Sequence, residues 1–152
     1  MLKIREIAQE DNPEIKTIIT SIMRDEFQES ARAYSIDDVE DACSHYCGKN
    51  EVFYVAENDG HIIGTVGIKN DAPHTALLRR LFLKKEYRGK GYGAKLVHEA
   101  LEFCRKHGYK KVIFRGTDAM RAAFKTCLKN GFKEKDILVL PHVKMFILEL
   151  SI

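Results

Sequence analysis

Three glycines within five residues give this chain of 152 residues its most chemically pointed segment, Arg88-Gly89-Lys90-Gly91-Tyr92-Gly93. Glycine removes side chains where backbone must approach a ligand closely. A helix that starts at such a run adds free N–H groups and the positive end of its dipole, which together make an anion cradle. The local charge agrees. Between positions 79 and 95, Arg79, Arg80, Lys84, Lys85, Arg88, Lys90 and Lys95 stand against Glu86 alone. Two familiar phosphate loops do not fit. A Walker A loop needs GxxxxGK[ST], which is absent. A dinucleotide loop needs GxGxxG and an acid about 20 residues later. This loop reads GxGxG, with Lys110 and Lys111 where the acid would stand. The bland alternative is a tight turn with a solvated basic helix start.

Other clusters carry less. Among the six histidines, His98 and His107 belong to a helix surface, His61 adjoins a turn, and His74 and His142 flank prolines. Cys43, His45 and Cys47 invite a metal reading. However, Cys43 and Cys47 are four residues apart on an apolar helix face while His45 points elsewhere, so core packing is favoured and no metal is expected.

These residues need elements to hold them. Leu2, Ile4 and Ile7 alternate with charges as a short strand does. Asn12-Pro13 opens a helix, Asn12 as its N-cap, with the stripe Ile15, Ile18, Ile19, Ile22, Met23 and Phe27. A second helix starts at Ser35, with Asp38 in a capping-box place and the stripe Ile36, Val39, Cys43, Tyr46 and Cys47. Two apolar runs around Asp59-Gly60 form a hairpin, and residues 76–83 are a further strand. A helix follows the glycines and ends at Gly108, residues 110–115 are a strand, and 119–130 a helix. Two strands around Pro141 close the chain. Only the connection from 83 to 111 is a long helical crossover, so those two strands are expected as parallel neighbours and the rest as mostly antiparallel. The fold class is a mixed α/β (α+β) sheet with helices on both faces.

Length and composition set the bounds. One domain, 1–152, is expected. Hydrophobic residues at 45% and charged residues at 31% are those of a soluble globular chain. A net charge of +3 is too mild to argue for a nucleic-acid partner. No apolar run nears the ~20 residues of a membrane span, and the N-terminal Lys3, Arg5 and Glu6 stand where a signal peptide is apolar. Four cysteines without a CxxC pair fit reduced thiols, and a cytoplasmic location is expected.

The glycine run resembles the [RQ]xxGx[GA] motif of the GNAT acyltransferase superfamily, with Leu81-Phe82-Leu83 and Glu86-Tyr87-Arg88 similar to its usual lead-in. The later stretch Ala123-Phe124-Lys125-Thr126-Cys127-Leu128-Lys129-Asn130-Gly131-Phe132 resembles its AxxxYxKxGF segment. The resemblance implies a mostly antiparallel sheet of about seven strands with one parallel pair, flanked by about four helices. It also implies an acetyl-CoA site. The pyrophosphate would sit on the N–H groups of Arg88, Gly89, Lys90, Gly91, Tyr92 and Gly93, with Ala94 and Phe124 as further contacts. The pantetheine arm would pair with backbone at Leu81, Phe82 and Leu83, in a gap where two parallel strands splay. The implied reaction is direct transfer of acetyl from CoA to an amine of a small molecule or a protein, with no acyl-enzyme.

Two positions depart from the family pattern. Cys127 stands at the frequent Tyr acid; it is read either as a general acid or as a packed small residue on the stripe Met120, Ala123, Phe124, Cys127. Leu77 stands at the common Glu base. Glu26, Glu29 and Asp118 are the acids nearest the expected cleft, read first as solvated helix face and helix cap. Phe27, Tyr34, Tyr46 and Tyr54 are further aromatics for an acceptor cleft or for the core. The missing Glu and Tyr keep a second reading open, an acyl-CoA-binding sensor with little turnover. A homodimer follows from the resemblance, and no nucleic acid or membrane partner does.

Overall fold

The computed structural model describes residues 1–26, 36–141 and 143–152. In chain order they form β1 (Leu2–Glu6), a 3-10 turn (Gln9–Asp11), α1 (Asn12–Glu26), α2 (Asp37–Glu40), α3 (Ala42–His45), β2 (Val52–Asn58), β3 (His61–Ala72) and β4 (Thr75–Leu83). A second 3-10 turn (Lys85–Tyr87), α4 (Tyr92–Lys106), β5 (Lys111–Thr117), α5 (Arg121–Lys129), β6 (Lys133–Val139) and β7 (Lys144–Ser151) complete the chain. One seven-stranded sheet contains all the strands, in the order β1-β2-β3-β4-β5-β7-β6. Only β4 and β5 run parallel, as the long crossover required.

The apolar stripes bury as expected. Ile15, Ile18, Ile19, Ile22 and Met23 cover one side of the sheet from α1, and Leu96, Val97, Ala100, Leu101 and Cys104 do so from α4. Two glycines of β3 show that both faces are covered. A Cβ on Gly64 would meet Leu96 of α4 at 3.0 Å, and one on Gly67 would meet Tyr46, just past α3, at 2.7 Å. Asp59 and Gly60 turn the β2–β3 hairpin with φ of 51° and 81°, the left-handed pair that matches strand twist.

Three local expectations are corrected. Asn12 does not cap its own helix. Its amide donates to Asp41 at 2.8 Å and accepts from the Cys43 N–H at 3.1 Å, tying α1 to α3. The turn before α1 is closed instead by Asp11, which accepts from the Ala8 N–H at 2.7 Å and from Arg5. The single helix expected from Ser35, itself outside the described residues, is two short ones. The break is at Asp41, whose carboxylate takes the Ser44 N–H and hydroxyl at 3.2 and 2.8 Å; such local bonds compete with helix continuation. Val39 and Tyr46 are buried, but Ile36 and Cys47 are exposed, so the expected stripe is interrupted. Asp118 caps nothing: α5 begins after Met120 with no side-chain cap, and Asp118 is exposed.

One irregularity in β4 shapes the site. Between the pairs Thr65↔Phe82 and Gly67↔Arg79, two residues of β4, Arg80 and Leu81, face one of β3, Val66. This is a β-bulge, and Arg80 sits in it with φ of 53°. The left-handed conformation costs a non-glycine residue about 1–2 kcal/mol. Arg80 of the bulge and its neighbour Arg79 both reach Asp38, Arg80 at 2.6 Å and Arg79 at 3.9 Å. Arg79 and Arg80 therefore do not belong to the solvated basic patch that the sequence counts them in.

Candidate functional site

The parallel pair is short. Its register runs Thr75↔Lys111, Ala76↔Val112, Leu77↔Ile113 and Leu78↔Phe114, and then stops. Beyond it β4 continues with β3 to Leu83, while β5 stays with β7 through Thr117↔Met145. The two strands diverge, as expected for adjacent strands whose ends splay, and leave an unpaired edge on each. A cavity of about 660 Å³ opens there, within the usual range for small-molecule sites.

Its walls come from four elements. Leu81, Phe82 and Leu83 supply the β4 side, and Arg88, Gly89, Gly91, Tyr92, Gly93 and Ala94 the loop and the start of α4. Ile22 and Glu26 close it from α1. Met120, Arg121, Ala123, Lys125, Thr126 and Lys129 close it from α5 and its approach. Nine of the expected contact residues thus share one cavity.

The glycine run makes the cradle in a specific way. Gly91 is the N-cap of α4, with φ of 81° and no side chain capping the first turn. The leading N–H groups of a helix have no intrahelical partners and sit at the positive end of its dipole, and Tyr92, Gly93 and Ala94 of this first turn line the cavity. Gly89 has φ of 79°. An added Cβ at either glycine would meet nothing within 4 Å. Glycine is required here for backbone conformation, not for want of space. Gly93 differs: its Cβ position lies 3.4 Å from Thr126, where α4 and α5 approach.

Arg88 lines the cavity, but its guanidinium is engaged. Nε donates to the Leu83 carbonyl at 2.9 Å, and the two terminal nitrogens donate to both Glu26 oxygens at 2.6 and 2.9 Å. The side chain clasps the end of β4 to the end of α1, and Glu26, exposed on the helix face as expected, is its ion-pair partner. Lys90 is outside the wall, its ammonium 5.7 Å from the Tyr87 ring centre. Phe124 also lies outside, edge-on to Phe146 at 5.3 Å.

Sequence reasoning missed a cationic face. Arg121, Lys125 and Lys129 follow one another at four-residue spacing along α5, and all three line the cavity. The spacing is visible in the sequence, beside the apolar stripe of the same helix. Together with the helix terminus, these cations give the cavity wall a positive character that suits a multiply charged anion. Leu81, Phe82 and Ile22 add apolar surface to the same wall.

Proton-transfer groups are sparse. Cys127 is fully buried, does not line the cavity, and has its thiol pushed up to about 12 by burial. Leu77 is half-buried opposite Lys69 and Ile113, so no carboxylate occupies that place. Tyr46 is buried and donates to Asp38 at 2.6 Å. Burial opposes the Asp38 charge, but the Arg80 and Tyr46 hydrogen bonds outweigh it and hold the carboxyl at about 2. Tyr54 is half-buried on β2 and off the cavity wall. Phe27, Glu29, Tyr34 and His142 lie outside the described residues. Among the described residues no group of three or more His, Cys, Asp or Glu is placed to hold a metal ion, and no helix is long and apolar enough to cross a membrane.

Comparison with known proteins places this geometry. The profile of the Acetyltransferase (GNAT) family matches residues 13–132. A Xenopus tropicalis protein named "Probable N-acetyltransferase camello" is 33% identical over 102 residues, 66% of this chain and 47% of that protein. The chain thus spans about half the length of that relative. The crystal structure of a GNAT-family acetyltransferase from Staphylococcus aureus Mu50 superposes with a TM-score of 0.87 at 22% identity, covering 99% of both chains. PaiA N-acetyltransferase from Thermoplasma acidophilum, solved in complex with coenzyme A, superposes with a TM-score of 0.74 at 25% identity, covering 100% of this chain and 99% of that one.

Proposed function

The chain belongs to the GNAT acetyltransferase family, and from that membership we propose that it is an acetyl-CoA-dependent N-acetyltransferase acting on an amine of a small molecule or a protein. The observation that carries the reading is one cavity holding an uncapped, glycine-led helix terminus, three α5 cations and a released β4 edge. Acetyl-CoA, when bound, supplies an acyl group already activated as a thioester. The chain's own residues do the rest. N–H groups at the start of α4, with Arg121, Lys125 and Lys129, hold the phosphates. The β4 edge at Leu81, Phe82 and Leu83 pairs with the extended amide arm as a strand would. One of its N–H groups polarises the thioester carbonyl, as an oxyanion donor does.

No carboxylate replaces the family Glu at Leu77, so the acceptor amine loses its proton to water or arrives neutral, and as the C–N bond forms and the C–S bond breaks, water supplies the proton that the departing CoA thiol needs. The burial of Cys127 supports packing over proton donation. This reading keeps the chain as one domain, 1–152, in the cytoplasm. It includes a homodimer, for which the edge strand β6 is the face to test, since it exposes Ile137, Leu138 and Val139.

The sparse proton-transfer groups favour a second reading, an acyl-CoA-binding sensor. Calorimetric titration with acetyl-CoA, CoA and ATP comes first, followed by thiol release with a panel of amines. Binding of acetyl-CoA and CoA but not ATP, with turnover, is expected. Tight binding without turnover across the panel would favour the sensor. No binding would refute the cavity assignment.

A further inference from the structure

The β4 strand changes character midway. Its pairing with β5 ends at Leu78, and its cavity-lining stretch starts at Leu81. Arg79 and Arg80 lie between. Arg80 has the left-handed φ of 53° and, with Leu81, forms the bulge opposite Val66. Such a conformation persists only where surroundings impose it. Two contacts do so. The Thr65 hydroxyl donates to the Arg80 carbonyl at 2.7 Å. Asp38 accepts from Arg80 Nε at 3.0 Å and from Nη2 at 2.6 Å, while Tyr46 donates to the same carboxylate at 2.6 Å. Asp38 and Arg80 are 6% and 7% exposed. The carboxylate comes from α2, outside the sheet, so the sheet alone does not provide this clamp.

We propose that Asp38 is a positioning residue for the donor groove. By fixing the Arg80 side chain it holds residue 80 in the left-handed conformation, and the bulge then turns Leu81, Phe82 and Leu83 away from β5 and into the cavity. The proposal rests on reading the cavity as the acetyl-CoA groove. It holds that the ligand senses the backbone at residue 80, and that the ion pair acts only through that backbone.

Two double variants separate backbone from charge. Asp38→Ala with Arg80→Gly, and Asp38→Ala with Arg80→Ala, both lack the pair, but glycine adopts positive φ without strain and alanine does not. Acetyl-CoA affinity is measured by calorimetry beside a thermal melt. The glycine double is expected within threefold of the parent chain and the alanine double at least tenfold weaker. With an amine that turns over, the alanine double should raise KM for acetyl-CoA at least tenfold and hold kcat within threefold. Equal affinities for the two doubles would overturn the proposal and leave the pair a stabilising contact only. If the alanine double does not fold, Asp38→Asn is compared with Asp38→Asn carrying Arg80→Gly. Recovery of affinity in the second supports the proposal, and no recovery overturns it. A parent chain that binds no acetyl-CoA would instead refute the groove reading, which the variants do not address.

Discussion

Gly91 offers the sharpest test of the anion cradle, through two substitutions that differ only in charge. It is the exposed N-cap of α4, with φ of 81° and open space around its Cβ position. Asn and Asp both tolerate left-handed backbone better than other residues, so Gly91→Asn and Gly91→Asp carry similar strain, about 1 kcal/mol. Aspartate at an N-cap also favours the helix, through its hydrogen bond to the first turn and its charge at the dipole. The Asp variant should therefore be no less stable than the Asn variant. Binding should move the other way. A carboxylate about 6 Å from one phosphate charge, at an effective dielectric of about 20, is repelled by about 3 kcal/mol. Exposure and salt reduce that to about 1.4 kcal/mol, a tenfold loss of affinity. The assay is calorimetric titration of both variants with CoA at low and high salt, beside their melting temperatures. Gly91→Asp is expected to bind about tenfold more weakly than Gly91→Asn, with the gap closing at high salt. Equal affinities at low salt would mean that no phosphate sits on this helix terminus.

The α5 cations should add to the same effect. Arg121→Ala, Lys125→Ala and Lys129→Ala are each expected to weaken acetyl-CoA binding about two- to fivefold and to flatten its salt dependence, as titrations at graded ionic strength would register. Cys127→Ala removes a fully buried thiol, so a loss of about 1 kcal/mol and a melting temperature lower by about 2–4 °C are expected. Turnover per folded molecule should hold; a tenfold fall in kcat with an unchanged melt would make the thiol a proton donor. Asp38 contributes to acid stability beside Asp11, whose carboxyl the Arg5 hydrogen bond also holds low. The folded pKa of Asp38, about 2, lies below the unfolded value of about 3.9, so its contribution of about 2–3 kcal/mol is present above pH ~4 and lost as pH falls toward 2. Urea unfolding across that range should steepen for the parent chain and stay flatter for Asp38→Asn.

The parts of this molecule legible in sequence are those set by short-range rules. The cradle was legible because glycines that permit positive φ and a helix that begins beside them are local facts. The parallel pair was legible because a helical crossover leaves one arrangement for two strands. What escaped depends on distant partners. Arg79 and Arg80 read as solvated cations until Asp38, far upstream, turns both inward across a bulge that alternation does not foresee. Glu26 is exposed as its place on the helix suggests, but its ion pair escaped because the partner, Arg88, comes from another element. The break at Asp41 escaped because the same aspartate suits a helix surface and a local turn equally well. Arg121, Lys125 and Lys129 had the right spacing, but only the fold says what faces them.

The brevity of the β4–β5 ladder has a kinetic consequence. Strands β2 to β4 pair across short turns, and so do β6 and β7, whereas four register pairs across the α4 crossover join the two sets. Closing that crossover costs more than closing the short turns, so the β2–β4 meander should form first and the later strands dock onto it. The ladder beside the cavity is then the seam of the fold. Its amides should exchange with solvent sooner than those of β2 and β3, and a molecule spanning both strands would slow that exchange most at the seam itself.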